Sequence, residues 1–126
     1  MPVQWQGLRV HAIVAHLGLM HAGRVRQVER IAAFIEAEVP PGERIVVAGD
    51  FNDWGEKLDA PMREIGLARA ELPGATLPRT FPSRVPVFSL DRIYTRGFEC
   101  RALNVPRGPA WSRMSDHLPL VAELEM

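Results

Sequence analysis

The sequence predicts an α/β fold built on one sheet, and three stretches carry that expectation. LRVHAIVAHL (residues 8–17) is mostly apolar with Val, Ile and Leu prominent, as in a strand buried over much of its length. From Gly23 onward, Val25, Val28, Ala32, Ile35 and Val39 recur at three-four spacing, while Arg24, Arg26, Arg30, Glu36 and Glu38 turn mostly away. That periodicity predicts a helix to about Glu38. Pro40, Pro41 and Gly42 stop it, and RIVVA (residues 44–48) resumes as a short buried strand. A crossover of this length makes the two strands parallel neighbours in one sheet, with the helix on one face.

The remaining elements follow in order. GDFND (residues 49–53) leaves the second strand and at once offers two carboxylates and a carboxamide behind a glycine. Residues 59–67 read as a short helix, with Asp59 as N-cap, Pro61 in the first turn and Gly66 at the end. Residues 71–89, rich in Pro, Thr, Arg and Ser, form a long surface loop of the kind that often carries function. LDRIYT (90–95) and FECRALNV (98–105) read as strands, and Gly97 between them predicts a hairpin. A second loop, 106–115, precedes SDHLPL, and LVAEL closes as a last strand. No repeat, low-complexity tract or linker interrupts the chain, so residues 1–126 are expected to form a single domain.

Composition narrows the function classes. Fifteen basic and fifteen acidic residues cancel, so no global field draws nucleic acid or an anionic membrane to the chain. A polyanionic partner would need a local patch. The single Cys100 excludes an internal disulfide framework, suits a reducing compartment, and reads as a small buried hydrophobe without a role. No stretch approaches the ~18 apolar residues of a spanning helix, and residues 1–7 lack the basic-then-apolar layout of a signal peptide. The expected location is cytoplasmic.

Six polar residues stand at or beside strand ends: His16, Asp50, Asn52, Asp91, Asp116 and His117. Each has an ordinary structural reading. Asp50 could form a turn or cap a helix, His16 could sit satisfied at the core edge, Asp91 could pair with Arg92, and Asp116 could cap the turn before Pro119. Their joint pattern is more specific. VAHLGL, VVAGDFND, the Thr80–Phe81 pair, SLDRIY and SDHLPL occur in an order that resembles the C-terminal half of the endonuclease/exonuclease/phosphatase superfamily. That group contains deoxyribonuclease I, exonuclease III-type apurinic-site endonucleases, inositol polyphosphate 5-phosphatases and neutral sphingomyelinases. GDFN with a downstream SDHLP is a strong joint signal, whereas GD after a strand is weak alone.

The resemblance implies a metal-dependent phosphoester hydrolase and assigns roles. Hydrolysis of such an ester needs a positioned water, neutralisation of the phosphoryl group and stabilisation of the leaving oxygen. By the resemblance, Asp50 orients and deprotonates the water, and Asn52 holds that water or a phosphate oxygen without adding charge. His117 donates to the phosphate, with Asp91 on its other ring nitrogen, and His16 supplies a second donor. Asp116 helps bind a hard divalent cation, Mg²⁺ or alternatively Mn²⁺. The substrate is a phosphoester: nucleic acid, phospholipid headgroup or inositol phosphate.

The same resemblance implies a four-layer α-β-β-α sandwich, of which this chain would form half: one mixed sheet with helices on its outer face. Family members are about twice as long, and their first half supplies a metal-binding glutamate that has no counterpart in matching context here. The chain is therefore expected to be a fragment or a natural truncation, and to form a homodimer through the inner sheet face. The alternative is a catalytically silent remnant that self-associates or binds phosphate ligands. Arg79, Arg84, Arg107 and Arg113, with Trp111 as a stacking surface, could contact phosphates or simply be solvated loop residues. Trp54 could pack beneath the motif or line the pocket. Calcineurin-like phosphatases are disfavoured by the lack of a GNH element, and a nucleotide-binding Rossmann fold by the lack of a glycine-rich first turn.

Overall fold

The computed structural model describes residues 2–5, 8–17, 21–53 and 57–126. Strand β1 (Pro2–Trp5) pairs antiparallel with β2 (Leu8–His16), and helix α1 (His21–Glu38) crosses to β3 (Arg44–Asp50). After the short helix α2 (Asp59–Glu64) come β4 (Ala68–Arg69), β5 (Asp91–Arg96), β6 (Glu99–Asn104), the single turn α3 (Pro109–Ser112) and β7 (Val121–Glu125). The main sheet is mixed and five-stranded, ordered β1-β2-β3-β5-β4. β2 and β3 are parallel, as the crossover length requires, while β5 runs antiparallel to both β3 and β4.

The expected hairpin between the Leu90–Thr95 and Phe98–Val105 strands does not form. β6 instead pairs with β7 as a separate two-stranded ribbon, with a register shift between Cys100 and Ala102. The reason lies in edge occupancy: Tyr94 and Thr95 of β5 already face Val47 and Val46 of β3 on one side and Arg69 and Ala68 of β4 on the other. With both edges taken, the chain turns away at Gly97, whose φ is 86°, and its next strand finds a partner elsewhere. Cys100 on that ribbon is half-buried and free.

The apolar stripe of α1 lies where its periodicity put it. Val28, Ile35 and Val39 pack in one cluster with Ile45 and Val47 of β3, Tyr94 of β5, and Leu58, Met62 and Leu67 around α2. Arg24, expected to face water, is buried instead. Asp59 is the first residue of α2 and not its cap: Leu58 holds the N-cap position, and its backbone N–H donates to the Asp53 carboxylate at 2.6 Å. The opposite face of the sheet is different in kind. Val14 stands 90 % exposed, and the register places it beside Ala48 and then Ile93, both half-buried. No helix among the described residues is long and apolar enough to cross a membrane.

Gly49 joins the core to the site. A Cβ there would lie 1.8 Å from the Ala15 carbonyl oxygen, so β2 and β3 can approach as they do only around a glycine.

Candidate active site

Register builds the site. His16 pairs with Asp50 across β2 and β3, and Asp50 pairs with Asp91 across β3 and β5, so three strand ends deliver three polar side chains in one row. Two further backbone bonds extend the ladder just past the strands: Leu17 N–H donates to Asp50 O at 2.8 Å, and Phe51 N–H to Leu90 O at 2.9 Å. The row is thereby held by the hydrogen-bonded centre of the main sheet.

Asn52 makes the turn. Its φ of 48° lies in the left-handed region that Asn tolerates better than most side chains. Its backbone N–H donates to Asp50 Oδ1 at 2.9 Å, and its side-chain Nδ2 donates to the Leu17 carbonyl at 2.6 Å. These bonds tie one oxygen of Asp50 and leave Oδ2 facing the histidines: His117 Nε2 lies 3.6 Å from it and His16 Nε2 3.9 Å. His16 itself is largely in solvent, with its side chain 79 % exposed.

The long loop closes the other side. Thr80, fully buried, donates its backbone N–H to Phe88 O and its hydroxyl to Asp91 Oδ2 at 2.6 Å. Its carbonyl accepts from Leu118 N–H at 2.7 Å, which draws the SDHLPL segment in. His117 Nδ1 then lies 2.6 Å from the same Asp91 oxygen, and its ring packs on Phe81 with centroids 4.8 Å apart. Burial alone would lower the His117 pKa. The bond and charge of Asp91, followed by the charges of Asp50 and Asp116, outweigh that effect and raise it above the ordinary imidazole value.

The expected residues thus divide. Asp50, Asp91 and His117 converge, with one candidate ligand atom from each lying within 4.8 Å of the others. Asn52 stands behind Asp50 and His16 beside it, while Asp116 is exposed and lies outside that trio. Two half-buried carboxylates suit a hard cation, which is typically held by one or two carboxylates and several waters. With His117 Nδ1 committed to Asp91, its Nε2 is the ring nitrogen left for a ligand, and it donates there in the imidazolium form that Asp91 favours.

The sequence reading missed two things. Asp91 does not pair with Arg92; adjacent strand residues point to opposite faces, and Arg92 reaches the far side. There its Nη1 donates to Asp53 Oδ2 and its Nη2 to the Asp53 carbonyl, each at 2.9 Å, with both side chains wholly buried. Tyr94 OH donates to Asp59 Oδ1 at 2.5 Å in the same network, and burial pushes its hydroxyl pKa well up, so it stays protonated. The second omission is Thr80, quoted only as a landmark, which orients Asp91; two residues separated by a long loop give no local signal of that bond. Trp54, expected beneath the motif or in the pocket, lies outside the described residues.

Comparison with known proteins supplies the family and the fold. The uncharacterized protein YbhP of Escherichia coli K12 is 38 % identical over 122 residues, which cover 95 % of this chain and 48 % of that one. The chain therefore spans about half the length of the curated relatives it matches. The D. rerio TDP2 structure with a single strand DNA product superposes with a TM-score of 0.71 at 18 % identity, covering 99 % of this chain and 60 % of that chain. A mannosyl-6-phosphatase from Bacteroides thetaiotaomicron superposes with a TM-score of 0.66 at 17 % identity, covering 96 % and 53 %. At these identities the two structures establish a shared fold. The family assignment comes from the sequence itself: residues 6–117 match the Endonuclease/Exonuclease/phosphatase family, and the chain belongs to it.

Proposed function

We propose that this chain carries the water-activating and phosphate-contacting part of a metal-dependent phosphoester hydrolase. The observation that supports it most is the row of His16, Asp50 and Asp91 across three adjacent strand ends, with His117 swung in by Thr80 and Leu118. Asp50 Oδ2 takes a proton from the attacking water, while Oδ1 is held by the Asn52 N–H and cannot rotate away. Asn52 also keeps amide hydrogen-bonding capacity beyond its bond to Leu17, for that water or a phosphate oxygen. His117, whose protonated form Asp91 favours, donates from Nε2 to a phosphate oxygen, and exposed His16 donates from the other side.

Mg²⁺ or Mn²⁺ is the proposed cofactor: Asp50 and Asp91 are the converging carboxylates that would hold it together with water, and Asp116, expected from the resemblance to bind it, lies outside that trio and would contribute through water. When bound, such an ion neutralises phosphoryl charge and stabilises the leaving oxygen. Nucleic acid, a phospholipid headgroup or an inositol phosphate would each supply the ester. The test is hydrolysis of bis(p-nitrophenyl) phosphate with magnesium or manganese, against a chelated sample and Asp50→Ala. Metal-dependent turnover that Asp50→Ala abolishes is the expected result; turnover unchanged in that variant sinks the assignment of the base.

A second reading is favoured by the open sheet face. Val14 at 90 % exposure, next to Ala48 and Ile93, marks a surface that self-association would cover. In that reading the chain dimerises through this face and binds phosphate ligands without turnover. Sedimentation of the wild type and Val14→Glu separates the two: a dimer that the variant dissociates, with phosphate binding and no hydrolysis, supports it.

A further inference from the structure

The two segments that carry Asp50 and Asp91 separate just past the sheet, and there a side chain takes over from the backbone. Among the described residues, the last backbone bond between them is Phe51 N–H to Leu90 O at 2.9 Å. Past it stand Asn52 and Asp53 on one side and Ser89 on the other. Arg92 spans that gap. Its Nε donates to Ser89 O at 3.2 Å and its Nη2 to Asp53 O at 2.9 Å, so one guanidinium joins the two chain segments where their own bonding ends. Nη1 adds the Asp53 carboxylate at 2.9 Å, and both side chains are wholly buried, away from competing solvent.

Chain position connects this bridge to the site. Arg92 follows Asp91 and points to the opposite face. Asp53 follows Asn52, whose left-handed turn and N–H bond to Asp50 Oδ1 leave Oδ2 facing the histidines. Ser89 reaches the long loop as well: its hydroxyl donates to the Pro78 carbonyl, two residues before the Thr80 that bonds Asp91. A single buried residue thus touches the turn that aims Asp50 and the segment that leads into Asp91.

We infer that Arg92 is a positioning residue for the candidate site: it holds the Asn52 turn against the start of β5 and so fixes where Asp50 stands relative to Asp91. The inference rests on the hydrolase reading only for its effect on turnover, since Arg92 is buried on the far face and touches no reacting group. A guanidinium offers donors from three nitrogens in one rigid plane, which lets it serve two carbonyls and a carboxylate together. A lysine keeps the charge beside Asp53 but has one nitrogen in place of three. Arg92→Lys therefore separates positioning from charge compensation.

The test is amide hydrogen exchange by NMR on the full chain, free of metal and ligand, with Asn52 N–H as the reporter. In Arg92→Lys that amide is expected to exchange about tenfold or more faster relative to the amides of β3, because the turn opens locally. The neutral pair Arg92→Gln/Asp53→Asn leaves no lone buried charge, so it covers the case in which Arg92→Lys fails to fold, and it should show the same local opening. Ile35→Val is the control: it thins the core away from the bridge, and it should leave the Asn52 amide unchanged relative to β3. Unchanged relative exchange in the Arg92 variants, or an equal acceleration in Ile35→Val, overturns the positioning role. Turnover of bis(p-nitrophenyl) phosphate is the separate arm. There Arg92→Lys should lower kcat about tenfold or more with KM little changed, since the phosphate contacts of His117 and His16 stay in place. A fall confined to KM overturns the role in turnover. An unmodified chain that does not hydrolyse the ester counts against the hydrolase reading, and the Asn52 exchange then decides Arg92 by itself.

Discussion

Asp50 and Asp53 share one short motif and end in opposite circumstances. Asp50 keeps its side chain about one-fifth exposed, with one oxygen tied to Asn52 and the other directed at two histidines. Asp53 is wholly buried, bonded to Leu58 N–H and clamped by Arg92 through both its carboxylate and its carbonyl. The turn at Asn52 separates them, sending one carboxylate to the row of strand ends and the other beneath it. The difference teaches that charge in this motif serves two ends: Asp53 fixes the backbone from within, while Asp50 stays accessible at the row of strand ends.

Breaking the buried member should produce the largest effect. Asp53→Ala removes the close carboxylate of the buried Arg92 guanidinium and leaves Asp59 Oδ1 at 3.8 Å, and truncating one partner of a buried pair typically costs about 3–5 kcal/mol. Urea unfolding should show that loss, and a shift below about 1 kcal/mol would mean that Arg92 finds another partner. Gly49→Ala comes next, because the added Cβ meets the Ala15 carbonyl and the residue keeps a φ of 149°. Strain of this kind costs about 1–3 kcal/mol, and the same unfolding curves should report it together with loss of the β2–β3 register at the site.

Acid should sharpen the contrast. Desolvation pushes the Asp53 pKa up, yet the bonds from Lys57 N–H, Arg92 and Leu58 N–H prevail, and it lies below the ordinary carboxylate value. A depressed pKa contributes stability that is complete above the unfolded value, about 3.9, and is lost as pH falls through the folded one. Asp53→Asn should therefore flatten the acid limb of a stability–pH curve, and an unchanged limb would remove Asp53 as its source.

His117 runs in the other direction. Its raised pKa gives stability that is present below the unfolded value, about 6.5, and disappears as pH rises through the folded one. Asp91→Asn should lower the imidazole titration midpoint, followed by NMR in chelator, and an unmoved midpoint would remove Asp91 as its cause. The smallest structural effect belongs to Asp50→Ala, whose partly exposed side chain carries a single backbone bond. It should cost about 1 kcal/mol or less in unfolding while abolishing any hydrolysis, and a loss comparable to Asp53→Ala would erase the distinction between the two.

Much of the frame was legible because it depends on local spacing. The period of α1, the apolar runs of β2 and β3 and the crossover between them need only neighbouring residues to declare themselves. The convergence of Asp50, Asp91 and His117 was legible only through resemblance, since no spacing along the chain brings residues 50, 91 and 117 together. The pairing of β6 with β7 was misread because a turn at Gly97 says where the chain bends and not whether the edge it leaves is free.

The sequence by itself therefore determined the parallel β-α-β unit, the motif residues and the lack of net charge. Tertiary structure alone decided which aspartate meets Arg92, 39 positions away, and that Thr80 steers Asp91. The physical reason is range: periodicity is set by the backbone within a few residues, whereas ion pairs, strand edges and cavities are settled by which surfaces the folded chain brings into contact.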